Sequence, residues 1–255
     1  MKILISSGLI LLLFMTFLWV ASVIKKDASI VDRVWGLLFV LLATSYYVLS
    51  DLNYWRQILV LCLVSIWGIR LSLHIHLRNK HAGEDVRYKR MREKAGKGFW
   101  WKSFFTIFLL QGILAFLISA PLYVVQVMAS SSEFSWFDGV GVMLWLLGFY
   151  FEAVGDWQLT KFKANPDNKG KLLTTGLWAL TRHPNYFGDA CLWWGYFILA
   201  LNSSYGLLTV FSPMLMTLLI RYVSGVTLLE KDLGTTKPGY ESYVKNTPPF
   251  FPKFW

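Results

Sequence analysis

The stretch GLWALTRHPNYFGDACLWW, residues 176–194, runs from a polar turn straight into an apolar helix. Pro184 suits the first turn of that helix, because its φ is fixed and it has no amide proton to leave unpaired. Asn185 and Asp189 are four residues apart and therefore share one helix face. A helix cap is the structural alternative for Pro184 and Asn185. The density of Arg, His, Asn, Tyr and Asp in this short stretch favours a ligand site at a membrane edge.

The composition indicates an integral membrane protein of the all-α class. The chain has 255 residues, of which 55% are hydrophobic, and its mean hydropathy is +0.47. Its apolar runs are each about twenty residues, enough for a helix to cross roughly 30 Å of hydrocarbon. The two cysteines, Cys62 and Cys191, lie in apolar segments, so neither a disulfide framework nor a cysteine metal site is predicted. No metal is expected.

The apolar runs predict about seven transmembrane helices. The first is closed by Lys25 and Lys26 and is predicted to be a retained helix and not a signal peptide. The seven predicted spans are 3–24, 31–50, 56–77, 101–128, 137–160, 185–201 and 205–229. We expect a single domain, 1–255, in which loops 78–100 and 161–184 and the tail 230–255 cover a cofactor pocket.

The basic residues predict the orientation, because they accumulate on the cytoplasmic side of a membrane. With seven helices, 21 of the 25 Lys and Arg residues fall on one side, in or beside the segments 25–33, 78–100, 161–184 and 230–255. The N-terminus is therefore predicted outside and the C-terminus in the cytoplasm. Topology and membrane lipids account in part for the net charge of +10, and no nucleic acid partner is needed.

Polar side chains inside the predicted helices are candidate functional groups, because charge in a span costs several kcal/mol unless it is paired or hydrated. Salt bridges that only hold the helices together are the structural alternative. Apart from Gln111, all lie in the cytoplasmic half and can converge on one pocket. The set is Arg70, His74, Gln111, Glu152, Asp156, Asn185, Asp189, Arg221 and Glu230.

Two polar loops, at 78–97 and 161–176, are rich in Lys and Arg and in glycine. They are interpreted as covers whose cations hold the phosphates of a ligand. For the first loop, the alternative is an amphipathic segment lying among the lipid headgroups.

Several motifs resemble the steroid 5-alpha-reductase family, in particular a bacterial branch carried as a domain of unknown function. They are GLWALTRHPNYFGD at 176–189, EAVGDWQLTKFK at 152–163, the tail LEKDLGTTKPGYESYVKNTPPFFP at 229–252, DRVWG at 32–36, WGIRLSLHIHLRN at 67–79 and GEDVRY at 83–88. Membrane methyltransferases of the isoprenylcysteine type share a similar RHPxYxG and a similar tail.

The resemblance implies a seven-helix enzyme of the inner membrane of a bacterium that binds NADPH from the cytoplasm and reduces an activated C=C bond in a lipid. The family's cofactor-binding Asn, Tyr and acid fall on Asn185, Tyr186 and Asp189, and the Asp of its fifth helix falls on Asp156. The full predicted cofactor-binding set is Arg70, Arg78, Asn79, Glu152, Asp156, Lys163, Lys171, Arg182, Asn185, Tyr186, Asp189, Arg221, Glu230 and Tyr240. No Gly-x-Gly-x-x-Gly follows a strand, so a Rossmann fold is not expected.

One departure from the family pattern concerns the proton donor. Steroid reductases have a Tyr three residues before the third-helix Arg, and here that position is Trp67, whose indole cannot act as the acid. The predicted catalytic groups are therefore Asp32, Tyr88 and His183, in that order of preference. A salt bridge of Asp32 with Arg33 or a lysine is the structural alternative.

Two other functions stay open. The RHPNY turn, Glu230 and the tail tyrosines are also compatible with a membrane methyltransferase that uses S-adenosylmethionine and modifies a lipid or prenyl substrate. A non-enzymatic lipid-binding protein is the third possibility. The sequence identifies neither the lipid-like substrate nor the oligomeric state.

Overall fold

The computed structural model of the protein describes residues 1–80, 82–129, 131–223, 230 and 238–253. Within these ranges every regular element is a helix, which confirms the all-α class. The contacts divide the chain into two units, Met1–Ser132 and Glu133–Trp255, which are described separately. The expected single-domain organisation stays a prediction.

The first unit is built around a close crossing of the helices Trp35–Leu49 and Trp55–Arg78. A Cβ atom on Gly36 would lie 2.4 Å from the carbonyl oxygen of Gly68, so only glycine allows this approach. Trp67 and Phe39 pack beside the crossing, with their ring centroids 5.6 Å apart. Its described α-helices are α1 (Lys2–Lys25), α2 (Ile30–Arg33), α3 (Trp35–Leu49), α4 (Trp55–Arg78), α5 (Val86–Ala95), α6 (Phe99–Ser103), α7 (Leu110–Ile118) and α8 (Ala120–Val127).

The second unit is built around its longest helix and the helix that begins at the RHPNY turn. Ser135 caps the longest helix by accepting a hydrogen bond from the amide of Phe137, as Ser does at helix N-termini. The described α-helices are α9 (Trp136–Ala164), α10 (Leu177–Leu180), α11 (Pro184–Ala200), α12 (Phe211–Leu218) and α13 (Tyr240–Asn246).

Short 3-10 and π-helical segments extend several of these helices. Gly96–Gly98 and Phe104–Leu109 join α5, α6 and α7, so the chain is helical from Val86 to Ile118. Leu219–Val223 extends α12 as a π-helical turn. Side chains at such turns are displaced from the regular helical register.

Five described segments are long and apolar enough to cross a membrane: Lys2–Lys25, Trp55–Arg78, Val86–Ile118, Trp136–Ala164 and Gly206–Val223. This confirms a helical protein with several candidate membrane spans. The count of seven and the orientation stay predictions.

Two predicted spans correspond to shorter helices, and two others have different limits. The predicted span 31–50 is broken at Val34, whose ψ of 8° is not helical, which leaves α3 with 15 residues. The predicted span 185–201 corresponds to the 17 residues of α11. Helix begins before the predicted span 101–128, at Val86, and residues 224–229 of the last predicted span lie outside the described residues.

Candidate functional site

The crossing of α9 and α11 positions the polar groups of the second unit. The crossing is made by glycines spaced seven apart, which repeat on one helix face after two turns. A Cβ on Gly148 would lie 2.5 Å from the carbonyl oxygen of Gly188, and one on Gly195 would lie 2.8 Å from that of Gly141. The two backbones are therefore in contact, and short polar side chains on one helix reach those on the other.

An acid–amide pair lies at the end of this crossing, where α11 begins. Asn185 Nδ2 donates a hydrogen bond of 3.0 Å to Asp156 Oδ1. Asp156 is buried, and Glu152, one turn earlier on α9, is buried as well. Burying carboxylates costs free energy unless they are hydrogen-bonded, so this arrangement needs a structural or functional reason.

Arg182, in the turn before α11, clamps the tail of the chain. Its Nε and Nη2 bind both carboxylate oxygens of Glu230, at 2.8 and 3.1 Å. Its Nη1 donates to the backbone oxygens of Thr247, at 2.6 Å, and Val244, at 3.2 Å. Because all three guanidinium nitrogens bind protein groups, the first role that this geometry assigns to Arg182 is to hold the tail in place.

Backbone pairing reinforces the clamp. The amide of Arg182 donates to the oxygen of Pro248, and the amide of Lys253 donates to the oxygen of Leu180, both at 2.9 Å. Thr181 Oγ1 donates to the oxygen of Phe250 at 2.9 Å. The proline-rich end of the tail is thereby fixed against the turn that precedes α11.

His183 joins Arg182 and Glu230 in what we name the polar cluster of the second unit. Its Nε2 lies 3.1 Å from Glu230 Oε1, and its ring stacks on Tyr186 with the centroids 5.6 Å apart. Partial burial raises the pKa of Glu230, but the hydrogen bonds from His183 and Arg182 and their charges outweigh it and lower the pKa to about 2. Burial raises the pKa of the neighbouring Tyr240. At neutral pH, the cluster therefore contains a carboxylate and a neutral phenol.

The first unit contains a separate polar cluster, which we name the Asp32 cluster and which consists of Asp32, Tyr88 and Gln111. Tyr88 Oη donates a hydrogen bond of 2.7 Å to Asp32 Oδ1. Gln111 Nε2 donates to the same hydroxyl at 3.1 Å and to Asp32 Oδ1 at 3.3 Å. The three side chains come from α2, α5 and α7, so the fold brings together residues that are far apart in sequence.

Charged groups around the Asp32 cluster hold α5 in place. Arg87 Nη2 binds Asp32 Oδ2 at 2.9 Å, while Arg33 binds Asp27 at 2.8 Å, so the ion pair of Asp32 is with Arg87 and not with Arg33, which the structural alternative had named. Glu84 accepts hydrogen bonds from Arg92 and from the amide of residue 28. Burial raises the pKa of Asp32, and the hydrogen bond from Tyr88 and the charge of Arg87 oppose the rise only in part.

Trp67, at the position to which the motif resemblance assigned a family Tyr, is fully buried against Phe39. Its indole is part of the packing of α3 and α4. Asp32 pairs with a different aromatic residue, Tyr88 of α5. The fold thus supplies a tyrosine hydroxyl beside the predicted acid from a different part of the chain.

The remaining predicted residues are distributed between the units. In the first unit, Arg78 Nε donates to Asn79 Oδ1 at 3.2 Å at the end of α4. In the second, Lys163 and Lys171 are exposed, and the guanidinium of Arg221 lies 5.9 Å from the ring centroid of Phe250. Arg70 lies on α4 and Asp189 on α11. Among the described residues, no group of three or more His, Cys, Asp or Glu side chains is placed to hold a metal.

The structure gives specific partners to two residues whose contacts the sequence did not predict. Gln111 was among the candidate functional groups because it is a lone amide in an apolar run, but neither a catalytic nor a cofactor-binding role was predicted for it. Arg87 was one of several cations in a basic segment, and nothing in its spacing set it apart.

Comparisons with known proteins identify relatives over most of the chain. The family model described as "Protein of unknown function (DUF1295)" matches residues 18–247. An uncharacterized protein of Schizosaccharomyces pombe is 25% identical over 267 aligned residues, which cover 92% of this chain and 76% of the relative. A probable O-methyltransferase of Ustilaginoidea virens is 46% identical over 46 residues, which cover only 18% of this chain and 16% of the relative.

Proposed function

The chain belongs to the DUF1295 family, and from its two polar clusters we propose that it is a membrane-embedded, NADPH-dependent reductase of an activated C=C bond in a lipid. The observation that carries the proposal is the acid–amide pair Asp156–Asn185 at the start of α11, in which the Asp156 carboxyl group is buried. These are positions at which the motif resemblance implies cofactor contacts. The Asp32 cluster adds a tyrosine hydroxyl held by a carboxyl group.

We infer the membrane arrangement from the helices and the distribution of basic residues. The proposal is that α3 and α11 also cross, which gives seven spans with the N-terminus outside and the C-terminus in the cytoplasm of a bacterial cell. A helix shorter than about 20 residues can span where the bilayer is locally thinned. The 21 basic residues on the predicted cytoplasmic side support the orientation.

The donors and acceptors of the second unit fit a nicotinamide dinucleotide. Asp156 and Asn185 offer a carboxylate and an amide to ribose hydroxyls or to the carboxamide. Lys163 and Lys171 are exposed cations that suit phosphates. Arg182 binds Glu230 and the backbone of the tail, so its proposed role is to position the turn before α11.

The Asp32 cluster of the first unit offers a proton donor for a reduction. NADPH, when bound, would supply a hydride, and the reduced double bond needs one proton in addition. In the proposed reaction, the Tyr88 hydroxyl turns its proton from Asp32 Oδ1 to the substrate carbonyl while Gln111 still donates to Tyr88 Oη, and it transfers that proton to the carbonyl oxygen as negative charge develops there. A protonated Asp32 would then return a proton to Tyr88, and the enol of the substrate would move its proton from oxygen to the α-carbon, which completes the reduction of the double bond.

Cofactor binding by the purified, detergent-solubilised protein tests the proposal. We expect NADPH to raise the thermal unfolding midpoint and to give a calorimetric binding signal. Asn185→Ala and Asp156→Ala are expected to abolish both effects, each measured against the ligand-free midpoint of the same variant. NADH and S-adenosylmethionine are titrated in parallel.

The fold offers a matched control at the other end of the same two helices. There Asn202 Nδ2 donates to Asp138 Oδ1 at 2.8 Å, which is a second acid–amide pair of the same chemistry. Asn202→Ala and Asp138→Ala are expected to lower the ligand-free midpoint and to leave the shift added by NADPH. If the substitutions in both pairs reduced the NADPH-induced shift equally, the loss would be a structural effect and not the loss of a cofactor contact. If NADPH did not change the midpoint of the wild type, the reductase proposal would be rejected.

A methyltransferase is the second candidate, because a short segment of the chain is 46% identical to a probable O-methyltransferase. In that case the buried carboxylates and the aromatic rings around His183 would bind S-adenosylmethionine and stabilise its sulfonium cation. Stabilisation by S-adenosylmethionine alone would favour this reaction over reduction.

A further inference from the structure

A cleft of about 380 Å³ lies between the last turn of α5 and the start of the helical segment that follows it. Its volume is in the range of small-molecule sites, about 300–1,000 Å³. It is separate from the residues of the Asp32 cluster. The residues that line it are Met91, Lys94, Ala95, Phe99, Lys102 and Thr106.

The lining of this cleft is cationic on an apolar base. Lys94 and Lys102 supply two ammonium groups, and no carboxylate lines the cleft. In the part of the chain that the structure describes, neither ammonium forms an ion pair, and Lys102 Nζ lies 5.7 Å from the ring centroid of Trp101. The nearby Arg92 is engaged with Glu84. The two lysines are therefore available to an anionic ligand.

Exposed aromatic side chains next to the cleft indicate its depth in the membrane. Trp100 and Trp101 are 55% and 46% exposed, and Phe105, one turn further, is 56% exposed. Trp19 Nε1 donates to the backbone oxygen of Trp100 at 2.7 Å, which places α1 beside them. Tryptophan concentrates at the level of the lipid headgroups, because its ring is apolar and its N–H is polar.

We propose that this cleft binds the phosphate headgroup of an anionic membrane phospholipid. Lys94 and Lys102 form charge-assisted hydrogen bonds with the phosphate oxygens, which are strong because both partners are charged. Phe99 and Met91 contact the glycerol and the first carbons of the acyl chains. A membrane lipid fits better than a soluble phosphate, because the base of the cleft is apolar and exposed aromatic rings continue it along the helix.

The test uses the full chain in nanodiscs of phosphatidylcholine, with and without phosphatidylglycerol. We expect phosphatidylglycerol to raise the unfolding midpoint and to remain bound in native mass spectrometry. Lys94→Gln/Lys102→Gln is expected to lose most of both effects while its midpoint in pure phosphatidylcholine stays close to that of the wild type. If the double variant is already destabilised there, each single variant is compared with its own baseline, and each is expected to lose part of the shift.

Lys89→Gln/Lys97→Gln is the matched control, since it removes two exposed lysines of the same segment that do not line the cleft. We expect it to keep the response to phosphatidylglycerol. If the two double variants lost the response to phosphatidylglycerol equally, the proposal would be overturned, because a general attraction between charges would then explain the response. An equal shift on adding glycerol phosphate to phosphatidylcholine nanodiscs would also overturn it, because the ligand would then be a soluble anion.

Discussion

At the scale of single residues, Glu230 holds the polar cluster of the second unit together. Its carboxylate binds Arg182 through two hydrogen bonds and also lies within hydrogen-bond distance of His183. Arg182 in turn binds the backbone of the tail. Arg182, which this carboxylate orients, thus connects the turn before α11 to the segment that follows Tyr240. Removing the carboxylate leaves a buried guanidinium without its counter-charge, which is the costly way to break such a pair.

We predict that Glu230→Gln destabilises the protein at neutral pH and removes a pH dependence. The Glu230 pKa falls from 4.5 to about 2 on folding, which corresponds to about 3 kcal/mol as an upper bound. Because the folded pKa is the lower one, this stability is present above pH 4.5 and is lost as the pH falls towards 2. The wild-type unfolding midpoint should therefore drop over that range, and that of the variant should drop less. A variant with the wild-type midpoint at pH 7 would contradict the structural role.

The hydroxyl of Tyr88 is the proposed proton donor, and its removal tests that part of the mechanism. We expect Tyr88→Phe to lower the turnover of NADPH with extracted membrane lipids about 100-fold or more, which is typical for the loss of a general acid. NADPH binding should be unchanged, because the predicted cofactor contacts lie elsewhere. Tyr150→Phe, at a tyrosine that is 54% exposed on α9, is the control and should keep its activity. Wild-type turnover in Tyr88→Phe would exclude this hydroxyl as the donor.

At the scale of helices, the packing of α9 on α11 decides whether the polar residues meet. Glycine residues on both helices allow the backbones to touch, at positions where any side chain would collide with backbone atoms. The Asp156–Asn185 pair lies at one end of this crossing and the Asp138–Asn202 pair at the other. Small residues are a common means of close helix approach in membranes, where burial of apolar surface does not drive association.

We predict that Gly148→Ala disrupts this crossing, whereas Gly139→Ala on the same helix does not. A Cβ at position 148 would be 2.5 Å from the oxygen of Gly188 and 2.7 Å from the amide nitrogen of Leu192, so the helices must separate. At position 139, the nearest atom to a new Cβ is 3.8 Å away, in the ring of Phe134. We expect Gly148→Ala to lower the unfolding midpoint by several degrees and to weaken NADPH binding.

Gly139→Ala serves as the control for helix propensity. Replacing glycine by alanine in a helix is favourable by about 0.5–1 kcal/mol when there is room for the methyl group. This variant should therefore match or exceed the wild-type midpoint and bind NADPH normally. Equal midpoints for the two variants would show that the crossing tolerates a side chain.

At the scale of the whole molecule, the orientation in the membrane is the principal prediction still to be tested. Single cysteines in place of Lys2 and Lys253, in a variant without Cys62 and Cys191, report it through labelling with an impermeant maleimide. In intact bacterial cells that express the protein, we expect labelling at position 2 only. Position 253 should react after permeabilisation, because the basic segments hold the tail in the cytoplasm. Labelling of intact cells at position 253 and not at position 2 would show the opposite orientation, with the proposed cofactor site facing the outside.

The sequence predicted the positions of several helices more closely than the pairing of their side chains. The predicted spans 3–24, 56–77 and 137–160 differ from α1, α4 and α9 by at most four residues at either end, because long apolar runs give a strong signal. The break at Val34 was missed, since it interrupts no apolar pattern. The pairing of Asp32 with Tyr88 was missed because the two residues are 56 positions apart, and only tertiary packing brings such residues together.

The sequence by itself therefore determined the all-helical class, the candidate membrane segments and the polar residues worth testing. Its hydrophobic runs and charge distribution are local properties, and local properties can be read along the chain. Only the tertiary structure decided that Arg182 binds Glu230 and the tail, that Asn185 reaches Asp156, and that Gln111 joins Asp32 and Tyr88. Those contacts depend on how closely the helices approach and on how they are rotated about their axes, and the packing of distant glycines and aromatic rings sets both.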